Sequence, residues 1–184
     1  PVDPTMAHDA RLRAMRRSVE IFREANVPIQ TELEKLSQGY QQVVGAMTVQ
    51  FDGREQTLPQ MAKYQEQTDR SVREKAWRAT VERRLKDREA IDGIFDQMIG
   101  LRHTMAKNAG FTDFVGYAFK AKKRFDYSPA DCRKFHEACE KVVVPFQRRQ
   151  DEKRRKQLKV DALRPWDLSV DPKNRAALRP FEGG

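Results

Sequence analysis

Cysteine is almost missing from this chain, with two in 184 residues, Cys132 and Cys139. Seven positions apart on one helix, they share a face but stand two turns apart, too far for an undistorted disulfide. A disulfide-stapled secreted domain is therefore excluded, and both are read as reduced thiols of a cytoplasmic protein. Long apolar runs are missing too. None approaches the roughly 20 residues that a membrane crossing needs, so no membrane partner is expected. The opening Pro1-Val2-Asp3-Pro4 has no basic stretch leading into an apolar one, so nothing there resembles a signal peptide. Glycine is too scattered at Gly39, Gly45 and Gly53 for a phosphate-cradling loop. Internal repeats and low-complexity linkers are absent as well.

Charge is what the sequence has in quantity. Charged residues make up 34% and hydrophobic ones 39%, with a net charge of +9. That excess is compatible with nucleic acid, an anionic membrane surface or acidic partners. The signs are interleaved rather than blocked, however, as on the solvated exterior of helices. The length suits one ordinary domain or two very small ones. The chain starts without methionine and stops at Arg179-Pro180-Phe181-Glu182-Gly183-Gly184 without a closing element, so both ends are expected to be cut edges.

Apolar periodicity predicts a helix over 5–25, carried by Met6, Leu12, Met15, Val19 and Phe22 and ended by Val27-Pro28. A shorter helix is expected over 29–40. Val43 to Phe51 is rich in β-branched residues and is followed by Asp52-Gly53, a two-residue hairpin signal, with a short return strand over 54–57. A lone hairpin is marginal in water and must pack on helices. From Leu58 the chain reads as helical. Thr68-Asp69 offers a cap for a helix through Ala76, Trp77 and Leu85, and a further helix carries Ile91, Phe95, Met98 and Met105. Asn108-Ala109-Gly110 is the stop, because these residue types tolerate a left-handed helix end. A short helix near 113–122 follows. Ser128-Pro129-Ala130-Asp131 opens another helix, which runs into the charged stretch 148–159 and should be kinked at Pro145. The fold class expected is mainly α, a bundle of long antiparallel helices with one small β-hairpin near 43–57. Its divisions would be 1–57, N-terminal helices plus hairpin, and 58–184, a helical wall. Taken alone, the chain should expose an apolar face along Ile91, Phe95 and Met98, or along Phe135, Val142 and Phe146.

His136-Glu137-Ala138-Cys139-Glu140 nearly spells the helix signature of zinc peptidases, in which two histidines four apart hold the metal and the glutamate activates water. Here Glu140 stands in the second histidine's place, and His8 and His103 are the only other histidines. An ordinary charged helix face is the simpler reading. His103, beside Arg102, lacks the partners of a nucleophilic triad. Arg148-Arg149-Gln150-Asp151-Glu152-Lys153-Arg154-Arg155-Lys156 suggests a phosphate-binding stripe, but no aromatic interleaves it and two carboxylates dilute it, so nucleic acid is not the expected partner.

Several stretches together resemble the oligoendopeptidase F branch of the thimet-oligopeptidase-like zinc peptidases. They are Tyr40 to Phe51 with its Asp52-Gly53 turn; Asp69-Arg70-Ser71-Val72-Arg73-Glu74-Lys75-Ala76-Trp77; Leu101-Arg102-His103-Thr104-Met105-Ala106-Lys107-Asn108-Ala109-Gly110-Phe111; Arg124-Phe125-Asp126-Tyr127-Ser128-Pro129; and Leu163-Arg164-Pro165-Trp166-Asp167-Leu168. The resemblance implies a parent enzyme that hydrolyses short peptides with zinc-bound water. It also implies that the zinc helix lies downstream of the Pro-Trp-Asp segment. In this chain no residue is then catalytic or metal-binding, no zinc is bound, and substrate-binding residues are unassigned, Arg102, His103, Arg124 and Tyr127 included. The chain is expected to form helical walls of the substrate channel, to be inactive alone, and to have the catalytic half of its own parent as partner. The alternative is a helical interaction or nucleic-acid-binding module using the basic surface.

Overall fold

Asp52 and Gly53 both adopt positive φ, 55° and 73°. That is the backbone of the tight turn whose twist matches antiparallel strands. The hairpin they close runs β1 (Thr48–Phe51) into β2 (Arg54–Thr57), with Thr48 opposite Thr57 and Phe51 opposite Arg54. The computed structural model describes residues 4–178, with side chains from His8 onward. The expected cut edges at 1–3 and 179–184, and the Met6 side chain, lie outside the described residues.

Around the hairpin the chain is helical: α1 (Pro4–Ile21), α2 (Val27–Gly45), α3 (Leu58–Met61), α4 (Arg70–Lys86), α5 (Arg88–Asn108), α6 (Phe114–Ala121), α7 (Pro129–Ala138) and α8 (Val144–Leu158). The mainly α class with one small hairpin is thus observed, and the differences are at boundaries. Helix α1 stops at Ile21, and Val27-Pro28 opens α2 instead of closing α1, since proline suits a first helical turn. Val43 to Gly45 remain in α2, so the first strand is four residues long. Their β-branched preference yields to helix continuation, the Ala46 N–H still reaching the Gln42 carbonyl at 3.1 Å. The disturbance expected at Pro145 takes the form of a widened π-turn over Cys139–Val143, after which α8 restarts with Pro145 in its first turn. There its missing N–H costs little.

The chain gathers into two compact units, each made of two separated stretches. The first comprises Pro1–Gln41 and Ile91–Ala138. Its core is Met105, Ala106, Ala109 and Tyr117, with Ile21, Ile29, Leu33, Phe111 and Phe114 packed against them. Asn26, buried, ties the start of α2 to the end of α5. It donates to the Met105 carbonyl at 3.0 Å and accepts from Asn108 Nδ2 at 2.8 Å. Gly110, at φ 84°, ends α5 as expected. Asp113 caps α6 by accepting from the Gly116 N–H at 2.9 Å, and Lys120 of α6 pairs with Glu20 of α1. Ser128 and Asp131 cap α7 reciprocally, their N–H groups reaching each other's side chains at 2.9 and 3.3 Å.

The second unit comprises Gln42–Ala90 and Cys139–Gly184. Here the hairpin meets its helices: Met61, Tyr64 and Ala76 are buried, and Val49, Phe51 and Val72 pack on them. Phe51 and Tyr64 meet edge to face at 4.8 Å. The buried Gln56 amide donates to Tyr64 Oη at 2.9 Å, so the strand's inward polar residue is satisfied. Thr57 forms a reciprocal capping box with Gln60 and starts α3 directly from the strand. Asp69 caps α4 through the Ser71 N–H at 2.8 Å.

Candidate functional site

The three histidines stand on three helices: His8 on α1, His103 on α5 and His136 on α7, each exposed. Glu137 and Glu140 are exposed as well, and Glu140 begins beyond the end of α7, inside the widened turn. Among the described residues no group of three or more His, Cys, Asp or Glu side chains comes together as a metal ion requires. The donor set for a catalytic zinc is not supplied by these residues. Cys132 and Cys139 are free thiols.

The polar chemistry of the second unit converges instead on Asp167. It sits in a 3₁₀ turn over Pro165–Asp167, where Arg164 N–H donates to its Oδ2 at 3.0 Å. Its side chain is wholly buried. Arg70, the first residue of α4, binds it bidentately, Nε to Oδ1 at 2.9 Å and Nη2 to Oδ2 at 2.8 Å. Arg73, on the same face three residues on and itself buried, adds Nη2 to Oδ1 at 3.1 Å. The rest of the Arg73 guanidinium is spent on carbonyls: Trp166 at 2.8 Å, Gln67 at 2.8 Å and Thr68 at 3.0 Å. Burial pushes the Asp167 pKa up, but the hydrogen bonds from Arg70, the Arg164 N–H and Arg73 outweigh it and hold the group below its ordinary value.

Arg154 approaches the same turn from α8. It donates to the carbonyls of Asp167 at 2.9 Å, Leu168 at 2.5 Å and Val170 at 2.6 Å. Trp166 is buried between Trp77, at 5.4 Å between ring centroids, and the Arg78 guanidinium at 5.1 Å. Its buried indole N–H meets no acceptor among the described residues. The basic run 148–156 is therefore partly committed. Arg154 is a structural tie, and Arg155 is bonded to Glu152 at 2.8 Å and to the Val160 carbonyl at 3.1 Å. The Arg155 hydrogen bond, helped by the charges of Arg155 and Lys156, lowers the Glu152 carboxyl to about 2.

Two of the stretches that carry the family resemblance, 69–77 and 163–168, thus close on each other across the Arg70–Arg73–Asp167 knot and the Trp77–Trp166 contact. A third, 101–111, supplies the buried Met105, Ala106 and Ala109 of the first unit. A fourth, 124–129, places Arg124 4.8 Å from the Phe119 centroid and Phe125 under Arg13 at 4.4 Å. What sequence reading missed was Arg154 and the burial of Arg73 and Asp167. A Pro-Trp-Asp string hints at a turn with a capping carboxylate, but nothing local marks which of the chain's many arginines it will meet.

Comparison with known proteins agrees with this distribution. The family model of peptidase family M3 matches residues 63–181, well over half of the chain. The chain belongs to peptidase family M3. Solved structures with the same fold include a protein assigned as oligoendopeptidase F from Bacillus anthracis str. Ames, at TM-score 0.83 and 22% identity over 88% of this chain. PZ peptidase A with a bound inhibitor gives TM-score 0.86 and 26% identity over 89%. A second oligoendopeptidase F assignment gives 0.85 and 21% over 94%. No curated protein matches the sequence. This M3 chain covers only 30%, 29% and 32% of those three solved chains. Among its described residues no helix is long and apolar enough to cross a membrane.

Proposed function

We propose that this chain is the scaffold portion of a zinc-dependent oligopeptidase, forming helical walls of a substrate channel against a catalytic part that lies outside the sequence. The observation that carries this reading is a mismatch of coverage. The chain fills 88–94% of its own length with the relatives' fold, yet spans under a third of theirs. Its described residues assemble no metal donor set. The parent would hydrolyse short peptides with a zinc-bound water, in the cytoplasm, and this segment alone would be inactive. Its partners would be the rest of its own chain and, in the parent, an oligopeptide.

The test begins with the gene. If the reading frame continues past Gly184 into a His-Glu-x-x-His helix, the encoded full-length protein should cleave fluorogenic short peptides, and a chelator should abolish the activity. Purified 184-residue chain should show none and should carry no stoichiometric zinc. A natural stop codon directly after Gly184 would remove the catalytic reading for this product. A nucleic-acid-binding role has no comparable support, since Arg154 and Arg155 within the basic run are already bonded to the protein itself.

A further inference from the structure

The chain contains two Asp-Gly pairs, Asp52-Gly53 and Asp92-Gly93. In such a pair aspartate can react with its own backbone, because glycine places no side chain beside its nitrogen. The glycine nitrogen bonds to the side-chain carboxyl carbon, and one carboxyl oxygen leaves as water with the carboxyl and amide protons. The product is a five-membered imide. Water then opens it at either carbonyl. One opening restores aspartate, and the other leaves the main chain running through the side-chain methylene as isoaspartate.

The fold treats the two pairs differently. Gly93 is the sixth residue of α5, so its N–H lies within the helical ladder and attack would break a helix bond. Gly53 stands between the paired Phe51 and Arg54, so its N–H is outside the strand ladder. Asp52 is exposed, and nothing lies within 4 Å of where a Cβ on Gly53 would be. The backbone therefore gives this pair no protection. What holds the Asp52 carboxyl is a side chain: Tyr64 Oη donates to its Oδ2 at 3.1 Å. That hydroxyl is pre-placed. Tyr64 is only 5% exposed, its ring meets Phe51, and its Oη accepts from the buried Gln56 amide at 2.9 Å.

We propose that Asp52 is a site of spontaneous backbone isomerisation, held in check by the Tyr64 hydroxyl, which keeps the carboxyl off the Gly53 nitrogen. Conversion lengthens the two-residue turn by one methylene, and Phe51 and Arg54 then no longer stand opposite each other. The packing of Val49 and Phe51 on Met61, Tyr64 and Ala76 depends on that register. The guard is independent of any peptidase activity.

The test is to incubate the 184-residue chain at neutral pH in heavy-oxygen water, beside a free peptide of residues 48–57, which lacks Tyr64. After digestion in ordinary water, the tryptic peptide 36–54 holds Asp52 as its one aspartate. Electron-based fragmentation distinguishes isoaspartate, and a heavy oxygen at Asp52 marks passage through the imide. Both should accumulate about tenfold or more slowly in the native chain than in the free peptide, because an attacking group held out of position loses at least that factor. Tyr64→Phe keeps the ring and should raise the native rate about threefold or more, the factor that one net hydrogen bond sets. Val49→Ala loosens the same packing but keeps the hydroxyl, and should raise it less. Circular dichroism establishes that the variants fold. Gln56→Met, which removes the anchor of the same hydroxyl, should move the rate in the same direction and stands in where Tyr64→Phe does not fold. A native chain as fast as the peptide would overturn the proposal, as would Tyr64→Phe at the native rate or Val49→Ala matching it. More label at Asp92 than at Asp52 in Tyr64→Phe would overturn the choice of site.

Discussion

Replacing Asp167 with asparagine changes one oxygen into an amide group and removes one charge. In the native turn the carboxylate accepts four hydrogen bonds, two at each oxygen. If the asparagine oxygen takes the Oδ1 position, it keeps Arg70 Nε and Arg73 Nη2. The amide NH₂ then points donors at Arg70 Nη2 and the Arg164 N–H. Two charge-assisted or buried hydrogen bonds are lost, and the buried Arg73 loses its counter-charge while keeping its three carbonyls. Removing one partner of a buried ion pair costs about 3–5 kcal/mol. The retained carbonyl contacts place the expectation at the lower end, about 3 kcal/mol. The assay is built into the molecule, because both tryptophans, Trp77 and Trp166, lie in the second unit and touch each other. Urea unfolding followed by tryptophan fluorescence should show the midpoint falling with an unchanged slope. The companion Glu152→Gln, on a solvent-screened exposed pair, should leave the midpoint unchanged. A loss below about 1 kcal/mol for Asp167→Asn would refute the view that this knot holds the 165–170 segment in place.

The same carboxyl sets an acid limit. Its pKa is lowered in the fold, so its contribution is complete above the ordinary value of 3.8 and fades as pH falls through the lower folded value; fluorescence-monitored stability should drop from about pH 4 downward in the native chain, and much less in Asp167→Asn. Asn26→Ala should cost about 1–2 kcal/mol in the first unit, by removing the buried amide's hydrogen bonds with the Met105 carbonyl, which keeps the Ala109 N–H, and with the Asn108 side chain; a loss under about 0.5 kcal/mol, read from amide exchange along α5, would contradict it. Gly110→Ala meets no atom within 4 Å but must hold φ at 84°, so it should cost about 1 kcal/mol of backbone strain alone. Hydrophobic-dye binding by the isolated chain should fall on Phe95→Ser and on Phe146→Ser, both of which are more than half exposed; unaltered dye fluorescence in both would show that these faces are not where the dye binds.

Local chemistry carried much of this chain by itself. Asp52-Gly53 dictated the turn because few residues accept two consecutive positive φ values. Asp69 and Ser128 dictated helix starts because a short oxygen-bearing side chain is what an unsatisfied first turn needs. Gly110 dictated the end of α5 for the mirror-image reason. The family was legible separately, in the order and spacing of the five stretches that resemble the oligoendopeptidase F branch. What tertiary structure alone decided is where buried charge goes. Arg73, Arg154 and Asp167 look like any other charged residues in a chain that is 34% charged. Only the approach of α4 and α8 to the 165–170 segment takes them from water and gives them each other. Packing likewise decided that Val43 to Gly45 stay helical, and that the compact units are each assembled from two distant stretches. Contacts between residues ninety or more positions apart, such as Arg70 with Asp167, depend on the whole path of the chain and leave no mark on its local pattern.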